Sequence, residues 1–200
     1  MTETKIGRPN KFNRNQAIEI AKQAFWKQGY QALSVSQLAT MMGITRSSFY
    51  NSFGDKQGLF KEALAAYKLT EPYILLLDLP ESAPIKPILT AFFKEICRTR
   101  IHDQGNQGCL VVNTVSGVIG SDDKLSDDIE NLLLSSIDLF EDLLNRAVIQ
   151  NEISAPDNLK ATASALVAFV MGLSNLSKVI RDEEQLWLMC ETYLKNYQLL

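Results

Sequence analysis

Arg46, Ser47, Ser48, Tyr50 and Asn51 place five hydrogen-bonding side chains within six consecutive residues, interrupted only by Phe49. On a helix, Phe49 and Phe53 share one face and the five polar groups cover the rest. Such a surface suits the major groove of DNA. An arginine fork matches O6 and N7 of guanine, an asparagine amide matches an adenine edge, and hydroxyls bond phosphates or bases. Ser34, Ser36 and Thr45 add hydroxyls at the starts of short helices, and Lys56 lies beside another expected helix start, where free backbone amides can help hold a phosphate. Upstream, Lys5-Ile6-Gly7-Arg8-Pro9-Asn10-Lys11 could follow a minor groove, with Arg8 entering where the groove is narrow. A catalytic site finds no comparable support. His102 is the only histidine, and no Ser-His-Asp order, phosphate-binding glycine loop or apolar carboxylate pair stands out. Cys97, His102, Cys109 and the nearby Asp103 do not match structural zinc spacings. The chain is therefore expected to be no enzyme and to hold no metal or cofactor.

The elements that must position these groups are helices. Asn13 is a candidate N-cap with Gln16 three residues on, Ala17, Ala21, Ala24 and Phe25 share a face, and Gly29 supplies a stop. Ser34-Val35-Ser36-Gln37 has the form of a capping box, followed by Leu38, Ala39 and Met42 as inward groups. Gly43 permits the positive φ of a tight turn, Thr45 caps a helix from Arg46 to about Ser52, and Asp55 caps the next through Tyr67. That fourth helix ends before Pro72 or within 75–79, and a bridging helix over 57–78 is one reading of the segment. Further helices are expected at 85–102, 108–119, 125–151, 156–180 and 183–199, about nine in all. No hairpin signal or strand alternation is present.

Charge divides the chain. Residues 1–68 carry ten Lys/Arg against four acids, a net +6, whereas the remaining 132 carry ten against nineteen, a net −9. A basic head on an acidic body points to a polyanionic partner for the head alone. Ala161 to Ser177 is uncharged for 17 residues but too interrupted by small polar groups to suit a bilayer, and the N-terminus lacks the apolar core of a signal peptide. Three cysteines do not make a disulfide framework. A cytoplasmic protein with free thiols and no membrane partner is expected.

From about Phe12 to Tyr67 the sequence resembles the DNA-binding domain of TetR/AcrR-family transcriptional regulators, through the runs AFWKQGYQALSVSQLA, GITRSSFYNSF and DKQGLF. Ser47 replaces a common glycine of the family pattern, Ser52 a common aromatic and Gln57 a common glutamate. The resemblance implies an all-α fold: an N-terminal three-helix helix-turn-helix DNA-binding domain, then a larger helical ligand-binding and dimerisation domain. The expected division is a basic arm at 1–12, the helix-turn-helix domain at 13–58 and the body at 59–200. It further implies a homodimer on a palindromic double-stranded operator, released by a small-molecule inducer or by thiol modification. The rival expectation is a ligand-binding or thiol-sensing helical protein without specific DNA readout.

Dimerisation is implied through the last two long helices. Ala161, Ala165, Ala168, Gly172 and Asn175 form a narrow stripe of small groups on one, and Leu186, Cys190 and Tyr193 share a face of the other. The sensor region is placed at Cys97 to Gly117, where Gly-Cys-Leu-x-x-Asn resembles one subgroup of the family. Phe93, Cys97, Cys109, Leu110, Asn113, Phe140 and Phe169 are the candidate pocket residues. Cys109 reads either as a thiol activated by a helix start or as a small residue lining an apolar pocket.

Overall fold

Four consecutive helices each begin on a side chain that accepts from a backbone amide three residues on. Asn13, Ser34, Thr45 and Asp55 cap α1 (Arg14–Gln28), α2 (Val35–Met41), α3 (Arg46–Phe53) and α4 (Lys56–Lys68) respectively. At Ser34 the capping box is complete, because Gln37 Oε1 also accepts from the Ser34 backbone amide at 2.8 Å. Gly43, at φ +67°, closes α2 with two amide bonds: its own to Thr40 O and that of Ile44 to Ala39 O. A side chain on that left-handed residue would be strained, so glycine fixes the α2–α3 turn.

The computed structural model describes residues 13–103, 105–120 and 124–200. Arg8 and the rest of the 1–12 arm lie outside the described residues. Beyond α4, Pro72 starts a 3-10 turn, Pro72–Leu76, and then come α5 (Ile85–His102), α6 (Leu110–Val118), α7 (Lys124–Ile149), α8 (Leu159–Leu176) and α9 (Glu183–Asn196). The described residues hold nine α-helices and no strand, as the periodicity implies. The bridging helix over 57–78 is not formed. Helix α4 stops at Lys68, and Glu71, held extended ahead of Pro72, cannot continue it.

Two apolar cores result. Phe25, Tyr30, Leu38, Phe49, Phe53, Leu59, Phe60, Ala63 and Tyr67 fill the first, with Phe60 edge-on to both Phe25 and Tyr30. Leu110 and Val118 of α6 and Leu125 and Ile129 of α7 belong to the same core. The expected boundary at 58 thus falls inside α4, whose buried face is part of the head. The second core lies among α5, α7, α8 and α9 around Phe92, Phe93, Phe140, Leu166 and Leu186.

Helix α5 has no capping side chain of its own, since Pro84 precedes it. Its first amides are satisfied across the fold. Glu152 Oε1 accepts from Ile85 N at 2.7 Å and Oε2 from Lys86 N at 2.8 Å. At the other end, Arg181 donates to the carbonyls of Arg100, Ile101 and Asp103. Both clamps place charge where the helix dipole favours it. Glu152→Ala is expected to lower stability by about 1–2 kcal/mol, the worth of a helix cap, measured as the urea midpoint of the full chain.

Candidate functional site

The outer surface of α3 is the first site. Phe49 and Phe53 are buried beneath it, and Arg46, Ser47, Ser48, Tyr50 and Asn51 are all exposed, so the five polar residues form one presented face. The hydroxyls are not equivalent. Thr45 Oγ1 accepts from Ser48 N and donates to Ser48 Oγ, and Ser34 Oγ is engaged with Gln37, so Thr45, Ser48 and Ser34 already serve the helix starts. Ser36 is exposed on α2.

The cations are also sorted by the fold. Arg14 pairs with Glu62, Lys22 with Glu19 and Lys61 with Asp128, the last tying α4 to α7. Lys56 turns inward. Its amine donates to Tyr30 O at 3.2 Å and Leu33 O at 3.1 Å and lies over the Tyr30 ring. Its ammonium therefore secures the loop between α1 and α2 rather than facing a phosphate, a correction to its expected role. Lys56→Met is expected to lower the melting temperature and leave the salt slope of DNA binding unchanged. A slope reduced by about one would restore Lys56 to a phosphate.

The second site is a cavity of about 310 Å³ in the body. Five segments wall it: the end of α4 with the 3-10 turn, then α5, α6, α7 and α8. Most of the wall is apolar, with Ile96, Val112, Leu139 and Val170 among its side chains. Ile74 and Leu77, each about half exposed, line it from the 3-10 turn and its end, and mark the mouth. The polar groups on the wall are few. Arg100 and Glu71 make a buried ion pair there, and Tyr67 OH accepts from Leu110 N at 3.2 Å. Burial pushes the Tyr67 and Tyr73 hydroxyls up, so both phenols stay neutral.

Only Cys109 among the expected pocket residues lines this cavity, at the start of α6. Phe93, Cys97, Leu110 and Phe140 are 0–1% exposed inside the cores, because the apolar face each occupies is spent on packing between helices. Asn113 is a tie instead, donating to Gln107 O and accepting from Lys178 Nζ. Phe169 stacks on Tyr193 with ring centroids 4.0 Å apart. The expected α9 interface is corrected in the same way. Leu186 and Cys190 are fully buried, and Cys190 Sγ lies 3.6 Å from Cys97 Sγ within the molecule. Tyr193 is half-buried between Phe169 and Tyr197. By contrast, Ala161, Ala168, Gly172 and Asn175 of α8 are exposed, and Ala165 is half-buried.

Sequence reasoning missed Tyr73, Arg100 and Ser174 on the cavity wall. A charged Arg100 inside an apolar helix face was the available signal. Asp103, weighed as a metal ligand, instead accepts from the amides of Gly105, Gln107 and Gly108 and so shapes the loop before α6.

Two family models match the chain. Residues 17–63 match the bacterial regulatory proteins of the tetR family, and residues 86–193 match the tetracyclin repressor-like C-terminal domain. The HTH-type transcriptional repressor BdcR of Escherichia coli is 36% identical over 109 residues, a match spanning 54% of this chain and 55% of BdcR. The repressor ComR of the same organism is 27% identical over 195 residues, covering 94% of this chain and 90% of ComR. Among solved structures, a cysteine-substituted form of the TetR family regulator CifR, complexed with 26-base-pair operator DNA, superposes with a TM-score of 0.81. It is 28% identical, and the match covers 96% of this chain and 100% of that one.

Proposed function

The chain belongs to the TetR family of bacterial regulatory proteins, and from that premise we propose that it is a ligand-responsive transcriptional repressor acting as a homodimer on a two-fold symmetric operator. The observation that carries the DNA half is α3: five exposed hydrogen-bonding groups seated on buried Phe49 and Phe53, behind a turn set by Gly43. One short helix reads few base pairs. Two, held about 34–36 Å apart by a dimer, would read a half-site each on successive turns of one DNA face. BdcR and ComR, themselves named as repressors, support the direction of regulation. The reading places the protein in the cytoplasm with its operator.

The dimer face we infer is on α8. By length and composition α8 is apolar enough to cross a membrane, yet only 33% of it is buried here. Its exposed groups include Ala161, Ala168, Gly172 and Asn175 of the small stripe and Leu176 at its end, with Val179 just beyond, a surface that a second copy could approach closely. Leu188, exposed on the outer side of α9, would extend it.

The cavity supports the responsive half. Its wall includes Tyr67, on the helix whose other buried residues belong to the head, and Glu71 just after it. An effector there, or modification of the Cys109 thiol at its wall, would act on α4 directly and so on the spacing of the two α3 helices. Coupling of ~2–3 kcal/mol lowers operator affinity by ~30–150-fold.

The test is recovery of sheared genomic DNA fragments on the purified protein at about 150 mM salt, where non-specific phosphate binding is weakened. A shared palindromic site is expected. No enriched site, from folded protein free of ligand, would overturn the repressor reading in favour of a helical ligand-binding protein without DNA readout.

A further inference from the structure

We propose that the cavity selects an uncharged molecule with an apolar body and a single hydrogen-bond-accepting oxygen, held at its polar end by Arg100 and Ser174. The inference rests on the cavity being the effector site.

Two wall residues carry polar atoms without a partner in the protein. Arg100 is 4% exposed and its Nε is unpaired. Ser174 is 1% exposed and its Oγ is unpaired. Each is an N–H or O–H donor, and a buried donor left unpaired is costly. Both side chains line the one cavity. An acceptor oxygen bound there would satisfy them.

The charge balance then chooses between a carboxylate and a neutral oxygen. The Arg100 guanidinium is already opposed by Glu71, which takes its two terminal nitrogens while both side chains are about nine-tenths or more buried. A carboxylate ligand would add a second negative charge beside Glu71 in the same apolar enclosure, with no further cation within it. Lys68, the other charged residue on the lining, is exposed rather than enclosed with Glu71. An unbalanced buried charge is far costlier than a neutral carbonyl or ether oxygen that accepts from the two donors. Ile96, Val112, Leu139 and Val170 favour hydrocarbon for the remainder. Size limits it further, because 310 Å³ holds on the order of ten water-sized atoms.

Acetophenone, ethylbenzene and benzoate share a ring and differ at the polar end. Their binding to the full chain, by calorimetry without DNA, tests the class. Acetophenone is expected to bind about 3–10-fold more tightly than ethylbenzene, the worth of one net hydrogen bond, and benzoate to bind more weakly than acetophenone. Ser174→Ala removes no hydrogen bond of the protein made by that hydroxyl, so the variant should fold. In it the preference for acetophenone over ethylbenzene should shrink. Benzoate binding as tightly as acetophenone, equal binding of ethylbenzene, an unchanged preference in Ser174→Ala, or no binding by any of the three to the folded chain would each overturn the proposal. Release of operator DNA by acetophenone is read separately. The expected selectivity without release would support this ligand class and overturn the effector reading.

Discussion

Arg100→Met is expected to destabilise the protein by about 3–5 kcal/mol, and Arg100→Met combined with Glu71→Leu to recover most of that loss. The pair joins α5 to the segment immediately after α4, with the guanidinium terminal nitrogens on the two Glu71 oxygens and side-chain exposures of 4% and 10%. Removing the cation alone strands a carboxylate away from water. Removing both exchanges an ion pair, whose desolvation cost was already large, for apolar packing. Urea unfolding of the wild type, both singles and the double closes the cycle. A single-variant loss below about 1 kcal/mol would mean that Glu71 reaches solvent when its partner goes, and would undo the picture of a sealed cavity wall. Against a total stability of about 5–15 kcal/mol, the expected loss is large enough to see in soluble yield.

The second large effect concerns DNA. Arg46→Ala is expected to weaken binding by about 1–3 kcal/mol and to relax preference at one base pair of each half-site. Arg46 is exposed and is the one cation on α3, directly after the Thr45 cap, where the helix start faces outward. Selection of binding sites from a randomised pool, repeated with the variant, separates the two possible roles. Relaxation confined to a single position places the guanidinium on a base edge. Loss spread evenly over all sequences places it on a phosphate and leaves readout to Tyr50 and Asn51.

The N-terminal caps and the α2–α3 turn were legible because their signals are local. Asn13, Ser34 with Gln37, Thr45 and Asp55 each reach an amide three residues away, and Gly43 answers a single backbone angle. The α3 face was legible for the same reason: Phe49 and Phe53 alone decide which way it turns. What failed was orientation over distance. Spacing grouped Leu186 with Cys190 correctly but could not say whether their face looked inward or out, and α5 proved to be what covers it. Phe93 and Phe140 share that problem, since aromatic groups suit a core and a pocket wall equally. The Glu152 cap on α5 joins residues 67 apart in sequence, and nothing near either end announces it.

The apolar core of the head reaches beyond α4 into α6 and the first turns of α7, through Leu110, Val118, Leu125 and Ile129, and Trp26 donates to Gly108 O. The DNA-reading part is therefore not a detachable cassette. A hybrid regulator spliced after α4, grafting this head onto a relative's body, would keep most of this core but have it completed by foreign side chains, against which α1 and α4, the helices that carry α3, would have to pack. Transplants that carry α6 and the start of α7 along with the head keep that core whole. Exchange of operator specificity between relatives is thus expected to be smoother through changes on the outer face of α3 than through exchange of whole domains.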